Sequence, residues 1–306
     1  MTSVMIQTPA TTANLGPGFD CLGLALDLWN KATFSLDGTG IRVKVRGEGA
    51  GLLPLDDRNL ILRAALRLFQ AAGVPLPEGL SIVCENRIPL GSGLGSSAAA
   101  IVAGLMGANG LLGSPVSAAE ILRLAGAIEG HPDNVAAALY GGLTLVATVG
   151  EGVIARRLPV APLVVALAVP AIHLPTSVSR ASLPREVPLS DAVFNLSRTA
   201  FVIEALRSGD LPLLGKVMED RLHQPYRLKL IPGGEEAFSA ARKAGAAAVA
   251  LSGAGPSIIA FAPAEEGVAA AKKIGEAMTC AFTKANVQAR CLILKLTEKG
   301  CYSTMG

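Results

Sequence analysis

The sequence predicts an α+β protein of two domains, and two patterns along the chain carry that prediction. In the first half, a strand-like segment leads into a loop rich in glycine and serine and then into an apolar helix. In the second half, two strand-like segments precede a helix and a further strand. A chain of 306 residues can bury two cores. We therefore expect domains at 1–157 and 158–306.

The first half begins its regular pattern with an amphipathic helix. Apolar residues recur at helical spacing over residues 58–72, after Asp56 and Asp57 and before Gly73. The segment LSIVCENRI, residues 80–88, predicts a strand that ends at Pro89. A glycine-rich loop and a helix that is apolar on nearly all sides follow it. Ser117 and Glu120 predict a capping box for the next helix, which should run to about residue 129.

The second half changes to a different alternation. We expect a strand near residues 163–169, helices near 191–208 and 211–222, and then strand, strand, helix, strand. Those last four elements are AAAVALSG, PSIIAFAP, AEEGVAAAKKIGEAM and VQARCLILKL. Their order is typical of a split βαβ arrangement, so this half should be ferredoxin-like.

Composition excludes several classes of partner. A net charge of +3, from 27 basic and 24 acidic residues, and an aromatic content of 4% argue against nucleic acid. The mean hydropathy is +0.47, but prolines leave only Leu163–Val169 uninterrupted in the longest apolar stretch, which fits a buried strand better than a membrane span. The amino terminus lacks a basic segment followed by an apolar one, so we predict a cytoplasmic protein without a membrane partner. Five widely spaced cysteines suggest neither a disulfide framework nor a zinc site.

The loop PLGSGLGSSAAA, residues 89–100, is the first candidate functional motif. A helix that starts with glycine and serine presents free backbone N–H groups at its positive end, which suits a phosphate. The loop lacks the lysine of GxxxxGK[ST] and the third glycine of GxGxxG, and no GxSxG elbow surrounds its serines. From the loop alone, a tight turn before a buried helix is an equally good interpretation.

Two further motifs favour the functional interpretation. EGHPDN, residues 129–134, places a carboxylate, an imidazole and an amide together, and LSGAGPS, residues 251–257, is a second glycine loop between strands. The histidines do not have HExxH spacing, so zinc is a poor fit. Glu129 near Ser96 and Ser97 offers hard oxygen ligands, which Mg²⁺ takes beside nucleotide phosphates.

These three motifs, in this order and spacing, resemble those of the GHMP kinase superfamily. TPATTANLGPGFDCLGLALDLWN at 8–30, PTSVSR at 175–180 and QPYRLKLIPG at 224–233 resemble the homoserine kinases within it. The resemblance implies a two-domain GHMP kinase fold, with a ribosomal S5-like amino-terminal domain and a ferredoxin-like carboxy-terminal domain. It also implies transfer of phosphate from ATP to the hydroxyl of L-homoserine, which gives O-phospho-L-homoserine on the route to threonine, and it suggests a homodimer.

The resemblance assigns the nucleotide side of the site. It implies that Ser97 and Glu129 hold Mg²⁺, with Glu120 as the alternative carboxylate, although a capping role already accounts for Glu120. Asn59 matches a position near the nucleotide, and a hydrogen bond at the start of a helix explains it equally well. The residues implied to bind ATP are Asn59, Pro89, Leu90, Gly91, Ser92, Gly93, Leu94, Gly95, Ser96, Ser97, Gly253 and Gly255.

The resemblance also assigns the substrate side. Arg180 and Arg227 match the residues that face the carboxylate, where a planar guanidinium can bind in bidentate form. Asn14 and Asp20 match the amine and hydroxyl side, and the resemblance implies that His131 and Thr176 lie near them. Without the resemblance, turn chemistry would explain Asn14 and Asp20, and surface ion pairs would explain the arginines.

The expected catalytic residues are Asn134, Arg180 and Asp20. Some relatives use an aspartate base, but an asparagine follows HPD here and cannot accept a proton at neutral pH. We therefore expect catalysis by positioning and charge neutralisation, with Asn134 orienting the hydroxyl. The alternatives are a GHMP kinase for another alcohol such as mevalonate, a nucleotide-binding regulator without catalysis, and an S5-like RNA-binding protein.

Overall fold

Two β-sheets and ten α-helices make up the part of the chain that the computed structural model describes, which is residues 3–150, 152–263 and 267–305. Within those residues, every helix is too short or too polar to cross a lipid bilayer. The boundary proposed at residues 157 and 158 stays a prediction.

The first sheet contains seven strands. The strands are β1 Ser3–Ala13, β2 Leu22–Ser35, β3 Gly40–Gly47, β4 Gly79–Asn86, β5 Leu143–Val149, β6 Gly152–Leu158 and β11 Tyr302–Met305. The central path of the sheet runs β11-β1-β2-β4-β3, and β5 and β6 extend from β2. All of its pairings are antiparallel except the parallel pair of β3 and β4. Because β11 pairs with β1, the last described strand lies beside the first.

Four helices pack on this sheet: α1 Leu60–Ala71, α2 Ser96–Leu111, α3 Ala118–Glu129 and α4 Pro132–Tyr140. The predicted helix α1 is confirmed, and its apolar stripe is buried in the core. The predicted capping box of α3 is only half formed. Ser117 accepts a hydrogen bond from the Glu120 N–H, but the Glu120 carboxylate pairs with Arg123 instead of returning to Ser117. An accessible arginine one turn along the helix thus competes for that carboxylate.

The predicted strand before the glycine loop ends two residues earlier than expected. β4 stops at Asn86 because the side chain of Asn30 accepts hydrogen bonds from the N–H groups of Arg87 and Ile88, at 2.7 and 3.0 Å. Those two donors are therefore withdrawn from the strand ladder. This turn brings Pro89 to the start of the loop that the sequence singled out.

The second sheet has the predicted ferredoxin-like order. Its strands are β7 Val164–Pro170, β8 Ala248–Leu251, β9 Ile258–Phe261 and β10 Ala289–Lys295. They lie side by side as β10-β7-β9-β8, all antiparallel. The long α10, Gly267–Lys284, crosses from β9 to β10, as the strand–strand–helix–strand pattern predicts. Further helices lie between β7 and β8: α5 Thr176–Ala181, α6 Leu189–Ser208, α7 Leu211–Val217, α8 Gln224–Arg227 and α9 Gly234–Lys243.

One predicted helix is shorter than expected. The sequence pattern extends a helix over 211–222, but α7 ends at Val217. Residues 218–223 instead form a turn around the buried carboxylate of Asp220, which accepts hydrogen bonds from the N–H groups of Leu222 and His223 at 2.9 and 3.0 Å. A side chain that satisfies these backbone donors replaces the helical hydrogen bonds.

A shared core joins the two sheets. One buried cluster includes Leu22 and Leu24 of β2 together with Val165 of β7 and Phe261 of β9. The isolated bridge between Leu26 and Leu296 also connects the two halves. Burial of this apolar surface, at roughly 25 cal/mol per Å² removed from water, fixes the two sheets against each other. The loops that leave the sheets therefore have a defined relative position.

Candidate active site

A cavity of about 420 Å³ lies between the two glycine loops. Part of its wall comes from α1, α2 and the strands β3 and β4, where Val45, Leu60 and Ala103 contribute apolar surface. Its charged end carries the two arginines and EGHPDN side chains predicted from the sequence. A cavity lined by both apolar and charged groups can hold two different chemical groups.

The first glycine loop joins β4 to α2 and has the backbone that the sequence predicts. Gly91, Gly93 and Gly95 all have positive φ, at 59, 78 and 68°. Gly95 is the N-cap of α2, so the helix begins with the free N–H groups of Ser96 and Ser97, and both residues line the cavity. This geometry combines unpaired backbone donors with the positive end of a helix dipole, as anion binding requires.

The second glycine loop holds the first one in place. The hydroxyl of Ser252 donates to the carbonyl of Gly93 at 2.8 Å, and the N–H of Ser257 donates to the carbonyl of Ser92 at 3.2 Å. A methyl group at Gly93 would lie 2.2 Å from the Ser252 carbonyl, so only glycine allows this approach. The sequence did not indicate this role of Ser252 and Ser257, because their hydrogen-bond partners lie far away along the chain.

Ser97 and Glu129 meet at the start of α2, as predicted. The Ser97 hydroxyl donates to Glu129 Oε1 at 2.6 Å. Burial raises the pKa of the Glu129 carboxyl, and the hydrogen bond from Ser97 acts in the opposite direction. Glu120, the alternative carboxylate, is paired with Arg123 on an exposed helix face and does not line the cavity. The two oxygen ligands proposed for a hard cation are therefore Ser97 and Glu129.

The EGHPDN segment forms a small hydrogen-bonded network. Asp133 is buried and its Oδ1 lies 3.0 Å from Nδ1 of His131 and 2.8 Å from the N–H of Asn134. The hydrogen bond to Asp133 raises the pKa of His131. The Thr11 hydroxyl donates to Oδ1 of Asn134 at 2.8 Å, which fixes the predicted hydroxyl-orienting amide. Thr11 and Asp133 were not predicted as site residues, although Asp133 lies within the motif.

The predicted substrate residues Asn14, Asp20 and Arg180 are in direct contact. Both Asn14 and Asp20 have positive φ, and Asn14 Oδ1 accepts the N–H of Asp20 at 2.8 Å, so the turn interpretation is also correct. Arg180 donates two hydrogen bonds to the Asp20 carboxylate, at 2.9 and 2.7 Å. The pair is half-exposed, so solvent screens it in part.

Arg227 is a buried cation rather than a surface ion pair. It is 1% exposed and its guanidinium lies 5.1 Å from the ring centroid of Phe19. Burial and the nearby charge of Arg180 lower the pKa of Arg227 to about 10, so the side chain stays charged at neutral pH. Nη1 of Arg227 lies 3.2 Å from Nδ1 of His223, another residue that the sequence pattern did not reveal.

Asn59 caps a helix at the edge of the cavity, and its nucleotide role stays a prediction. It is the N-cap of α1, where its side chain accepts the N–H of Ile61 at 3.1 Å, and it also lines the cavity. Of the predicted residues, those lining the cavity are Asn14, Asn59, Leu90, Gly91, Ser92, Gly93, Gly95, Ser96, Ser97, Glu129, His131, Asn134, Thr176, Arg180, Arg227, Gly253 and Gly255.

Three predicted residues do not line the cavity. Leu94 is fully buried in the shared core, so its side chain contributes packing. Pro89 is buried at the start of the loop, where its carbonyl accepts the Ser92 hydroxyl at 2.8 Å. Asp20 reaches the cavity wall through Arg180. Lining residues that the sequence did not indicate include Lys31, Arg58 and His173.

Comparison with known proteins identifies the family of this chain. The family model described as GHMP kinases N terminal domain matches residues 59–142, and GHMP kinases C terminal matches residues 202–280. A homoserine kinase of Moorella thermoacetica is 47% identical and covers 95% of this chain and 96% of its own length. Another, of Carboxydothermus hydrogenoformans, is 43% identical and covers 97% of this chain and 95% of its own.

A solved structure gives the same result at the level of the fold. The crystal structure of homoserine kinase from Cytophaga hutchinsonii superimposes with a TM-score of 0.88 at 34% sequence identity, over 99% of this chain and 97% of that one. The predicted two-domain GHMP kinase fold is thereby confirmed. Together these matches show that the chain belongs to the GHMP kinase family and, within it, to the homoserine kinases.

Proposed function

We infer that this chain is an enzyme that transfers the γ-phosphoryl group of ATP to the hydroxyl of L-homoserine, giving O-phospho-L-homoserine and ADP. Its relatives are named homoserine kinases over nearly their whole length. The observation that supports L-homoserine as the substrate is the charged end of the cavity, where Arg180 and Arg227 lie near Asp20 and Asn14. Two guanidinium groups with a carboxylate and an amide suit a small zwitterion.

The nucleotide occupies the loop side in this proposal. The loop after Pro89, residues 90–97, supplies backbone N–H groups and the start of α2 to the triphosphate, and Gly253 and Gly255 also line the cavity. The apolar wall to which Val45, Leu60 and Ala103 contribute suits a flat, weakly polar ring. The two glycine loops are bonded to each other, so the phosphate site is already organised.

We propose that Mg²⁺ is held by Ser97 and Glu129. Their oxygens are in contact at the mouth of the phosphate loop, and hydroxyl and carboxylate are the ligand types that Mg²⁺ accepts. The remaining ligands of such a cation would come from phosphate and water. When bound there, the ion would supply positive charge that offsets the charge of the phosphates during transfer.

In the transfer step, the substrate hydroxyl oxygen bonds to the γ-phosphorus while the bond from that phosphorus to the β–γ bridging oxygen breaks. The electron pair of the broken bond leaves on ADP, and the hydroxyl proton passes to phosphate or water. Asn134 orients the hydroxyl through its amide, whose position Thr11 fixes at 2.8 Å. Arg180 adds positive charge beside the reacting groups. A pH profile of turnover that depended on one enzyme base, and lost that dependence in Asp20→Asn, would contradict this mechanism.

A coupled assay of ADP release tests the proposed function. L-Homoserine, mevalonate, L-threonine, L-serine and shikimate are compared at equal concentration, and mass spectrometry identifies the product. Phosphorylation of L-homoserine alone supports the assignment. Preference for mevalonate would retain a kinase and contradict the amino-acid site, and ATP binding without turnover of any alcohol would favour a regulator.

We also propose that the protein forms a homodimer, as the family resemblance suggests. The helix α6 exposes apolar side chains that a partner could cover, with Leu189 79% and Leu196 73% exposed. Light scattering coupled to size-exclusion chromatography measures the mass directly. A mass of one chain at micromolar concentration would contradict the dimer.

A further inference from the structure

His223 is fully buried between the two chain segments that form the charged end of the cavity. Its ring stacks on Phe19 with centroids 5.2 Å apart and planes inclined by 23°. Nε2 lies 2.8 Å from the carbonyl oxygen of Gly16, and Nδ1 lies 3.2 Å from Nη1 of Arg227. Both ring nitrogens therefore have a specific partner.

The partners of His223 determine its tautomer. A backbone carbonyl can only accept a hydrogen bond, so the proton is on Nε2. A guanidinium can only donate, so Nδ1 must offer its lone pair to Arg227. A protonated imidazole would place a second N–H against the Arg227 donor, so this pair of bonds requires the neutral ring.

The backbone of His223 is fixed as firmly as its ring. Oδ2 of the buried Asp220 accepts the N–H groups of His223 and Gln224, at 3.0 and 2.6 Å. Oδ1 of Asp220 accepts Nδ2 of Asn195 on α6 at 2.7 Å. The imidazole is thus held at the start of α8, one helical turn before Arg227.

Arg227 depends on this support because the other hydrogen bond of its guanidinium is long and Nε makes none with the described residues. Nη1 also lies 3.4 Å from the carbonyl of Gly253, at the long end of the hydrogen-bond range. Nε is buried and has no hydrogen-bond partner in the described chain. One nitrogen of the guanidinium is therefore oriented by His223, and the same side chain lines the cavity.

We propose that His223 is a positioning residue for Arg227: its neutral imidazole accepts a hydrogen bond from Nη1 and so holds the guanidinium in the orientation that binds the substrate carboxylate. This inference rests on the proposed function, in which Arg227 faces that carboxylate. His223 touches neither substrate nor nucleotide in this role. The expected effect of losing the hydrogen bond is therefore on substrate affinity rather than on the transfer step.

Two substitutions separate this role from simple packing. In His223→Asn, the side-chain oxygen can occupy the place of Nδ1 and accept from Arg227, while the bond to Gly16 is lost. In His223→Gln, the amide nitrogen can occupy the place of Nε2 and donate to Gly16, while the acceptor for Arg227 is lost. Both variants lose the ring that stacks on Phe19. A difference in KM between the two variants therefore measures the effect of the hydrogen-bond acceptor for Arg227.

The measurements are KM for L-homoserine, KM for ATP and kcat in steady state. We expect His223→Gln to raise KM for L-homoserine about 10-fold or more, with KM for ATP within about twofold, and His223→Asn to stay within about threefold of wild type. Equal increases in both variants would overturn the inference. Absence of L-homoserine turnover by the wild-type protein would overturn the proposed function and this inference with it.

A second measurement holds even where both variants fold poorly. Nitrogen-15 correlation spectra of the wild-type protein distinguish the two neutral tautomers of a histidine. We expect His223 to carry its proton on Nε2 at neutral pH. A proton on Nδ1, or on both nitrogens, would leave no acceptor for Arg227 and would overturn the inference.

Discussion

The Arg180 guanidinium donates two parallel hydrogen bonds to the Asp20 carboxylate, from Nη1 to Oδ2 at 2.9 Å and from Nη2 to Oδ1 at 2.7 Å. The two residues are 160 positions apart in the chain and come from different halves of the molecule. Each is proposed to face one end of a zwitterionic substrate. A bound amino acid would then offer its carboxylate to the arginine and its ammonium to the aspartate, so both groups keep an opposite charge.

The first prediction concerns the planar geometry of Arg180. Arg180→Lys keeps the charge and loses the two parallel bonds, so we expect KM for L-homoserine to rise about 10-fold. Arg180→Ala also removes the charge and leaves Asp20 without its partner, and we expect an increase of about 100-fold. Steady-state kinetics measure both. Arg185→Ala, an exposed arginine nearby in sequence, is the control and should stay within about twofold. Equal KM values for L-homoserine in Arg180→Lys and Arg180→Ala would contradict bidentate binding.

The second prediction concerns Glu129. Glu129→Gln keeps the shape and removes the charged cation ligand, so we expect kcat/KM for ATP to fall by at least about 100-fold. Because burial raises the pKa of this carboxyl, its charged form is unfavourable in the folded protein without a cation. The variant should therefore melt no lower than wild type in EDTA, yet lose the increase in Tm that magnesium and ADP give the wild type. Glu120→Gln is the matched control, and an equal loss there would contradict the assignment.

The third prediction separates two glycines of one loop. A Cβ at Gly93 would lie 2.2 Å from the Ser252 carbonyl, whereas a Cβ at Gly91 would meet only His173 Nδ1 at 3.7 Å. Both have positive φ, which costs an alanine about 1 kcal/mol. We expect Gly91→Ala to lower the free energy of unfolding by about 1 kcal/mol, and Gly93→Ala by about 3 kcal/mol because the clash adds to it. Urea unfolding measures both, and equal losses would show that the second loop moves freely.

Much of this site could be predicted because its motifs are local in sequence. The strand, glycine loop and apolar helix at 80–111 follow one another, and the glycines specify the positive φ angles that the structure has. Ser97 and Glu129 could be paired because the family motifs bring them together. The ferredoxin-like order also followed from the strand and helix periodicities of residues 246–296.

The residues that hold the binding side chains in place could not be predicted in the same way. His223 contacts Gly16 and Phe19, some 200 positions earlier, and no spacing in the sequence encodes that approach. The early end of α7 has a similar cause, because the Asp220 side chain that bonds to the backbone there is also held by Asn195, 25 positions earlier. Residues that hold binding groups in place depend on tertiary packing, which periodicity does not report.

The fourth prediction is the effect of pH on the stability that His223 contributes. Burial lowers the pKa of His223. Two charged groups face the ring: the Asp220 carboxylate, with Oδ2 3.5 Å from Nε2, raises the pKa, and the Arg227 guanidinium, with Nη1 3.2 Å from Nδ1, lowers it. In the unfolded chain the imidazole titrates near its ordinary pKa of about 6.5. Below that pH the unfolded state binds a proton and the folded state does not. The free energy of unfolding therefore decreases as the pH falls towards the lower pKa of the folded state.

The difference in unfolding free energy between wild type and His223→Asn should therefore be largest near pH 7.5 and should shrink near pH 5.5, because the asparagine has no proton to bind. Urea unfolding at both pH values measures it. Ser179→Ala removes another fully buried polar side chain, whose hydroxyl donates to the Ala254 carbonyl at 2.8 Å, and does not titrate. Its cost should be the same at both pH values. If the wild type instead became more stable relative to His223→Asn at the lower pH, the folded protein would favour the imidazolium. The contacts of His223 with Arg227 and Gly16 do not allow that form.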